Sequence, residues 1–214
     1  MRKIVAVENV SLDGVMQAPG RADEDLRGGF EHGGWALPYD DADKGRIMAT
    51  GMAQGGPLLF GRRTYEDLFV AWSGRTDNPF TEVLDNAQKY VASTTLIEPL
   101  PWKNSTLLEG DAAEAIARLK EHPGKDLVVL GSGELVRSLA RRRLVDEYVL
   151  LIHPLVLGSG RRLFADAGTL AALRLVDAQT TSAGVMIATY RLAEQTAGKS
   201  DRYEAPASIQ EIVQ

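Results

Sequence analysis

The sequence predicts a single α/β domain in which helices flank a mostly parallel central sheet and a C-terminal hairpin adds antiparallel strands. Three observations lead to this fold class. Strand-like and helix-like segments alternate through the middle of the chain. Residues 57–60 and 126–130 are short, mainly apolar runs, as expected of strands buried on both faces. Two late strand-like segments lie on either side of Ser182-Ala183-Gly184, which is typical of a hairpin turn.

Each predicted element carries a local signal. β-branched residues mark the first strand, acidic residues lead the first helix, and Asp111 is placed to cap a strong helix. The predicted elements in chain order are a strand at residues 3–10, a helix at 40–52, a strand at 57–60, helices at 62–69 and 78–86, strands at 89–92 and 105–108, a helix at 110–119, a strand at 126–130, a helix from 133 through 139, and strands at 145–152, 173–178 and 185–192.

Two segments lack periodicity, and we expect both to be loops. Residues 11–38 are rich in Gly, Asp and Pro, and a loop of this length inside a domain is usually functional, which suits a cover over a site. Residues 154–164 form a crossing interrupted by glycines. Because no linker-like stretch divides the chain earlier, residues 1–193 are predicted to form one domain and residues 194–214 a polar C-terminal tail.

Composition excludes several classes of function. The 214 residues include no cysteine, which rules out disulfides, thiolate metal sites and thiol catalysis. The three histidines show no ligand spacing, so we expect no bound metal. A net charge of −5 gives no general attraction to nucleic acid or to an anionic membrane. The N-terminal apolar run stops at Glu8, too early for a secretory signal or a membrane span, so a cytoplasmic location is expected.

The turn Gly131-Ser132-Gly133 follows a buried strand and opens a helix. In open α/β sheets, ligands gather beyond the carboxyl ends of the strands. Glycines there let the backbone approach a ligand, and the free N–H groups of the helix favour an anion such as a pyrophosphate. The alternative is that the glycines only permit a tight turn, since the third glycine of the usual dinucleotide fingerprint is absent.

A second turn, Gly61-Arg62-Arg63-Thr64, adds positive charge to the same arrangement. Either arginine can bind a phosphate, and Thr64 can add a hydroxyl and an N–H group. One charge-assisted hydrogen bond contributes about 1.5–3 kcal/mol, enough to favour a 2′-phosphorylated dinucleotide about ten- to a hundredfold. Ser93 and Thr94, after another strand, can help hold this phosphate. The alternative is a pair of solvated arginines on a surface helix, with hydroxyls that cap a turn.

Five segments, in one order over about residues 2–193, carry a family resemblance. They are Ser11-Leu12-Asp13-Gly14 and residues 61–66, 89–93, 129–135 and 146–160. Together they resemble the dihydrofolate reductase-like fold, and most closely the branch that contains the reductase domain of bacterial riboflavin biosynthesis. The bifunctional riboflavin enzymes also carry a deaminase domain whose zinc ligands need cysteines, which this sequence lacks. A dedicated role in that pathway therefore does not follow from the resemblance.

The resemblance implies a single domain of the dihydrofolate reductase-like type that binds NADPH. The turn with two arginines and the hydroxyls after the strand at 89–92 match the family's contacts to the adenosine phosphate. The turn after the strand at 126–130 matches its nicotinamide-side turn. The implied cofactor-binding residues are Gly61, Arg62, Arg63, Thr64, Ser93, Thr94, Gly131, Ser132, Gly133, Glu134 and Leu135.

The resemblance also places a substrate between the first strand and the helix at 40–52, with Ser11 and Trp35 as contacts. Trp35 can either stack on a flat heterocycle or pack the loop. Reduction of a C=N or carbonyl group needs a proton donor as well as a hydride. Asp13 matches an aspartate that riboflavin-type reductases use around their substrate, and Asp41 stands where dihydrofolate reductases carry an acidic anchor. Their alternative roles are a turn aspartate and a helix cap.

These observations predict an NADPH-dependent reductase of a small heterocyclic, carbonyl or imine compound, similar to 5-amino-6-(5-phosphoribosylamino)uracil reductase. Dihydrofolate is the second candidate substrate, and a dinucleotide-binding module without turnover is a different class of function. Neither a nucleoside-triphosphate loop nor a nucleophile elbow occurs in the sequence. The late strands at 145–152 and 185–192 can pair or pack across a two-fold axis, so a homodimer is a further hypothesis.

Overall fold

A mixed sheet runs through the computed structural model, which describes residues 1–76, 78–164 and 171–193. Its strands in the described residues are β1 (Ile4–Ser11), β2 (Leu58–Gly61), β3 (Lys89–Ala92), β4 (Ser105–Leu108), β5 (Leu127–Leu130), β6 (Glu147–His153), β7 (Leu173–Thr180) and β8 (Met186–Leu192). Their order across the sheet is β4-β3-β2-β5-β1-β6-β8-β7. The tail predicted at residues 194–214 lies outside the described residues.

The strands from β4 to β6 in this order are parallel, β8 pairs with β6 in antiparallel orientation, and β7 pairs with β8 in antiparallel orientation. The predicted fold class, a mostly parallel sheet with a C-terminal antiparallel hairpin, is therefore confirmed. Every predicted strand and helix forms, and the boundaries shift by a few residues at most. The local patterns were strong enough to define the elements because the central strands are apolar and the helices are amphipathic.

Helices cover both faces of the sheet. Those in the described ranges are α1 (Ala42–Gln54), α2 (Arg62–Trp72), α3 (Pro79–Asn86), α4 (Ala112–Glu121) and α5 (Gly133–Arg141), with 3-10 turns at Arg27–Gly29 and Leu37–Tyr39. On one face, α4 and α5 pack on β1 and β5 through a core that includes Ile116 and Leu139. On the other, α1, α2 and α3 pack around Phe60 and Tyr65. Within the described ranges, no helix is long and apolar enough to cross a membrane.

Strand β1 is longer than its neighbour β5, and the difference creates a step at the carboxyl edge of the sheet. The two strands pair only from Ile4↔Leu127 to Val7↔Leu130. On its other side, β1 stays paired with β6 up to Ser11. The residues from Glu8 onward, which we call the β1 overhang, therefore extend beyond β5 while β6 still holds their backbone.

The loop at residues 11–38 has a small core of its own. It is also tied to the second predicted loop, residues 154–164, by main-chain hydrogen bonds such as that from the Met16 N–H to the Arg161 carbonyl oxygen, at 2.9 Å. The two loops form one packed layer next to the β1 overhang. The residues of the small core are Val15, Ala18, Phe30, Trp35 and Ala36.

Candidate functional site

A cleft of about 350 Å³ lies at the carboxyl edge of the sheet, at the step between β1 and β5. Its volume falls within the range of small-molecule sites, roughly 300–1,000 Å³. Four parts of the chain line it: the β1 overhang, the loop at residues 11–38, the start of α2 and the start of α5. Arg161, from the second loop, completes the lining. The expectation that the loop at 11–38 borders a site agrees with this arrangement.

The structure brings the two predicted glycine turns together in this cleft. A hydrogen bond joins them directly, because the Gly61 N–H donates to the Ser132 Oγ at 3.0 Å. Their proximity is an observation, whereas their role in binding a cofactor stays a prediction. The cofactor candidates that line the cleft are Gly61, Arg62, Arg63, Thr64, Gly131, Ser132, Gly133, Glu134 and Leu135.

The turn after β5 places two successive residues in the left-handed region of backbone conformation. Gly131 has a φ of 64° and Ser132 a φ of 65°, a conformation that glycine adopts readily and serine rarely. The Gly131 N–H donates to the Val7 carbonyl oxygen at 3.0 Å, which ends the pairing of β1 with β5. A Cβ atom at position 131 would also lie only 3.3 Å from the Thr64 Cγ2. Glycine at position 131 therefore avoids both the strain of this backbone conformation and a tight contact with Thr64.

Gly133 makes room for a side chain of the loop. A Cβ atom at this position would overlap the Met16 Sδ. Met16 therefore packs directly on the first residue of α5 and fixes the loop against the turn. This contact explains the glycine by packing, which differs from the reason that the sequence suggested, close approach of a ligand.

The helices that begin at the cleft differ from the others in their N-terminal caps. The side chains of Asp41, Asn78 and Asp111 accept hydrogen bonds from the first backbone N–H groups of α1, α3 and α4. By contrast, the N-cap residues of α2 and α5, Gly61 and Ser132, give no side-chain hydrogen bond to their helices. Uncapped N–H groups and the positive end of the helix dipole attract anions, so both helix starts offer donors to a phosphate.

Most charged side chains around the cleft are already paired. Arg63 is exposed and forms no ion pair with a described residue. Its charge is therefore available to a ligand, whereas Arg62 would have to share its guanidinium with a carboxylate. The ion pairs are Arg62–Glu66, Arg161–Glu134, Arg27–Asp25 and Arg21–Asp67.

Ser93 and Thr94 lie at the end of β3 and outside the lining of the cleft. The Ser93 Oγ accepts hydrogen bonds from the backbone N–H groups of Thr95 and Leu96 at 3.1 and 3.0 Å, as in a capped turn. The end of β3 nevertheless adjoins the arginine-bearing turn, because β2 and β3 are neighbours in the sheet. A contact of Ser93 with an adenosine phosphate stays a prediction.

Asp13 and Ser11 hold the two loops together and do not line the cleft. The Asp13 carboxylate accepts hydrogen bonds from the Ser11 Oγ at 2.6 Å and from the N–H groups of Leu157 and Gly158 at 3.1 and 3.0 Å. Arg162 adds an ion pair at 3.1 Å. The hydrogen bond from Ser11, followed by those from the backbone, holds the pKa of Asp13 well below its usual value. These contacts favour the turn role of Asp13 over that of a proton donor.

Asp41 and Trp35 also have structural contacts and lie outside the cleft lining. The Asp41 carboxylate accepts from the N–H groups of Lys44 and Ala183, both at 2.7 Å, so it caps α1 and ties the helix to the hairpin turn. Trp35 is buried, and its Nε1 donates to the Gln17 carbonyl oxygen at 2.7 Å. The contacts therefore favour the helix cap for Asp41 and loop packing for Trp35 over anchoring or stacking on a substrate.

Glu8 is a functional candidate that the sequence analysis missed. Glu8 lines the cleft although it is only 4% exposed, and its buried Oε1 has no hydrogen-bond partner among the described residues. Burial raises the pKa of Glu8 to about 8, so the carboxyl group is largely protonated at neutral pH. A signal was present in the sequence, because Glu8 alternates with Ile4, Ala6 and Val10 and therefore shares their buried face of β1.

Asn9 follows Glu8, points to the opposite face of β1 and also lines the cleft. Its Oδ1 lies 3.0 Å from the Nε2 of the buried His153. Burial lowers the pKa of His153 to about 4, so the ring is neutral. A neutral ring that donates from Nε2 fixes the orientation of the Asn9 amide and leaves its N–H groups for a ligand.

Comparison with known proteins shows that the chain belongs to one family. A family model described as the RibD C-terminal domain matches residues 2–187. The uncharacterized protein YyaP of Bacillus subtilis (strain 168) is 33% identical over 138 residues, which make up 62% of this chain and 72% of that protein. YwjB of the same organism is 28% identical over 123 residues, or 55% of this chain and 63% of that protein. The resemblance drawn from the sequence motifs is confirmed.

Solved structures share the fold. The Shewanella sp. PV-4 protein described as a "putative riboflavin biosynthesis protein" superposes with a TM-score of 0.64 at 20% identity, over 89% of this chain and 99% of that one. A pyrimidine reductase-like protein of Corynebacterium diphtheriae gives a TM-score of 0.59 at 12% identity, over 90% of this chain and 92% of that one. At such identities the likeness concerns the fold alone.

We expect Glu8→Gln to change how stability depends on pH. The pKa of Glu8 is raised from 4.5 to about 8 in the folded chain. Between these values the folded state keeps a proton that the unfolded state releases, so the free energy of unfolding of the wild type falls as pH rises. Glutamine is neutral throughout. The Tm of the variant should therefore rise relative to that of the wild type between about pH 5 and about pH 8.

Thermal unfolding followed by circular dichroism across this pH range measures the difference. Glu114→Gln, at an exposed position of α4, is the matched control and should follow the wild type. A difference between Glu8→Gln and the wild type that stays constant with pH would show that the pKa of Glu8 is not raised.

Proposed function

Because the chain belongs to the RibD C-terminal domain family, we propose that it is a reductase that uses NADPH to reduce a small heterocyclic, carbonyl or imine compound. The observation that carries the proposal is the meeting of two uncapped helix starts in one cleft. α2 and α5 both begin there, and the hydrogen bond from Gly61 to Ser132 joins their turns. Two anion-attracting helix starts side by side suit the two phosphates of a dinucleotide.

The arginines at the start of α2 favour NADPH over NADH. Arg62 and Arg63 both line the cleft, and the end of β3, which carries Ser93, adjoins their turn. A 2′-phosphate bound between these groups would receive charge-assisted hydrogen bonds. The adenosine end of the cofactor would then lie towards β3, and the nicotinamide end towards Gly131 and the β1 overhang.

The residues at the nicotinamide end would orient the reactants and limit the access of water. Bound NADPH supplies the hydride, and the protein holds the two reactants in place. Met16, packed on Gly133, closes the cleft against α5, and Ala18 and Pro19 continue the loop side of the lining. Enclosure of this kind also strengthens polar contacts inside the site.

The substrate is proposed from the family and from the polar groups of the β1 overhang. Glu8 and Asn9 can form hydrogen bonds with the heteroatoms of a small ring. The first candidate is 5-amino-6-(5-phosphoribosylamino)uracil, and dihydrofolate is the second. A binding module without turnover would use the same phosphate contacts, so turnover must be measured.

The first test follows the absorbance of NADPH in the presence of each candidate acceptor and of a panel of small pyrimidines, pterins and carbonyl compounds. We expect saturable NADPH binding and oxidation with at least one acceptor. Tight NADPH binding without oxidation across the panel would indicate the binding module instead. Failure to bind NADPH would contradict the proposal and the module alike.

The second test separates the 2′-phosphate from the rest of the cofactor. We expect Arg62→Ala to weaken NADPH binding by about ten- to a hundredfold and to leave NADH binding nearly unchanged, since only NADPH carries this phosphate. Fluorescence titration gives both Kd values. Arg46→Ala, an exposed arginine on α1, is the matched control.

Equal losses for NADPH and NADH would remove Arg62 from contact with the 2′-phosphate. Arg63→Ala is measured in the same series, because Arg63 is the more exposed of the two arginines. A loss specific to NADPH in Arg63→Ala alone would transfer the contact to Arg63. No selective loss in either variant would contradict the preference for NADPH.

We also propose that the chain forms a homodimer through the hairpin edge of the sheet. The strands at 145–152 and 185–192, which the sequence suggested for pairing across a two-fold axis, became β6 and β8, and both already have a neighbouring strand on each side. Strand β7 is an edge strand whose residues are all exposed, and it presents Leu173, Leu175 and Val176. An exposed apolar edge strand favours association with another chain. Light scattering should give twice the chain mass for the wild type and the single mass for Leu175→Asp. Ile97→Asp, at an exposed position outside the hairpin, should stay dimeric, and a monomeric wild type would contradict the proposal.

A further inference from the structure

Glu8 has no task in holding the phosphates of a dinucleotide, yet it lies at the end of the cleft that receives the nicotinamide under the proposed function. We propose that Glu8 is the proton donor of the reaction. It would give its carboxyl proton to the substrate nitrogen or oxygen whose neighbouring carbon receives the hydride. This inference rests on the proposed reductase function. It assigns to Glu8 a catalytic role that the family resemblance had suggested for Asp13 or Asp41.

The position of Glu8 in the sheet supports this role. Glu8 is the first residue of β1 beyond its pairing with β5, which ends at Val7↔Leu130. The turn at Gly131 leaves that side of the strand open to the cleft. On the other side, β6 still pairs with β1, with Leu150 opposite Glu8. The backbone of Glu8 is thus held in the sheet at the place where this residue lines the cleft.

The hydrogen bonds of the cleft single out the same group. Oε1 of Glu8 is buried and has no partner within the described part of the chain. Every other carboxylate of the lining accepts hydrogen bonds or pairs with an arginine: Glu24 with the N–H groups of Gly20 and Arg21, Asp25 with Arg27, Asp67 with Arg21, and Glu134 with Arg161. Donors of this kind stabilise the ionised form of a carboxyl group. Among the lining carboxyl groups, Glu8 is the one for which the described residues supply no such donor, whereas Glu24, whose pKa burial also raises, accepts two backbone hydrogen bonds.

Burial gives Glu8 a pKa suited to proton donation. The pKa is raised to about 8, with desolvation as its cause. A general acid works best when its pKa lies near the working pH, because it is then protonated and still gives up its proton readily. Asp13, whose pKa is lowered by its hydrogen bonds, lacks the proton at neutral pH.

In the proposed step, the carbon of the C=N or C=O group would gain the hydride that bound NADPH supplies, with NADP⁺ as the oxidised product, and the π bond would break so that its electron pair moves to the nitrogen or oxygen. The nitrogen or oxygen gains the proton of the Glu8 carboxyl group as the O–H bond breaks. Glu8 is left as a carboxylate and takes a proton back from water that enters the cleft after product release.

The test compares Glu8→Gln with the wild type on whichever acceptor the wild type reduces. Glutamine keeps the size and hydrogen-bonding ability of the side chain but cannot transfer a proton. We expect kcat to fall by about 10²- to 10⁴-fold, the usual contribution of a general acid. The Kd for NADPH should stay within about twofold, because the phosphate contacts lie elsewhere. Glu114→Gln should leave both values unchanged.

A pH profile gives a second readout. The kcat of the wild type should fall as pH rises past the pKa of Glu8, and the small residual rate of Glu8→Gln should lack this decline. Arginines stay charged over this range, so they do not contribute a decline of their own. The other charged groups that line the cleft are Glu24, Asp25 and Arg27 of the loop, Arg62, Arg63 and Asp67 of α2, Glu134 of α5, and Arg161.

The outcomes separate this inference from the proposed function. The role of Glu8 would be overturned if Glu8→Gln kept the full turnover of the wild type, or if its kcat showed the same decline at high pH. Either result would leave the reductase function standing. If none of the tested acceptors supports NADPH oxidation by the wild type, both the role of Glu8 and the reductase function are overturned. If Glu8→Gln fails to fold, Glu8→Asp decides, because it keeps the acid one methylene further from the substrate. It should lose part of the turnover and keep the pH decline, and full turnover would overturn the inference.

Discussion

Strand β5 ends at Leu130 while its neighbour β1 continues to Ser11, and the cleft occupies the resulting step. Where β5 stops, Gly131 and Ser132 adopt left-handed conformations, and α5 starts immediately after them. This reversal places the start of α5 beside the start of α2 and leaves Glu8 without a strand on one side. The N–H donors and the buried carboxyl group of the site therefore both follow from one difference in strand length.

The layer formed by the loops at residues 11–38 and 154–164 lies beside this step, and each loop supplies hydrogen-bond and packing partners to its surroundings. The carboxylate of Asp13 collects donors from both loops, and Met16 packs where Gly133 has no side chain. A loop of this length needs such contacts, because ordering its backbone costs conformational entropy that few elements of its own can offset. Asp13, which resembles a catalytic residue in the sequence, thus holds together the loops that border the site.

Charge is arranged locally, against the overall balance of the chain. The net charge of −5 disfavours an anionic ligand at long range. Around the cleft, however, arginines pair with Asp25, Asp67 and Glu134, and Arg63 remains exposed in the first turn of α2. Glu8 and Glu24 form no ion pair with a described residue, and burial raises the pKa of both, but Glu24 accepts two backbone hydrogen bonds that Glu8 does not have. The end of the cleft at α2 therefore favours a bound phosphate, and the end at Glu8 favours the protonated form of this carboxyl group.

The sequence by itself determined the α/β fold, the limits of its elements to within a few residues, and the two glycine turns at the strand ends. These features depend on hydrophobic periodicity and on the backbone freedom of glycine, which are local properties. Only the tertiary structure decided which polar groups are satisfied. Asp13 is held by Leu157, 144 residues away, and Trp35 is buried in the loop, whereas the Oε1 of Glu8 has no hydrogen-bond partner among the residues that the structure describes. Whether a carboxylate oxygen meets a hydrogen-bond donor depends on segments that are distant in the chain. The sequence pattern therefore could not distinguish Asp13, which holds two loops together, from Glu8, which is the proposed proton donor.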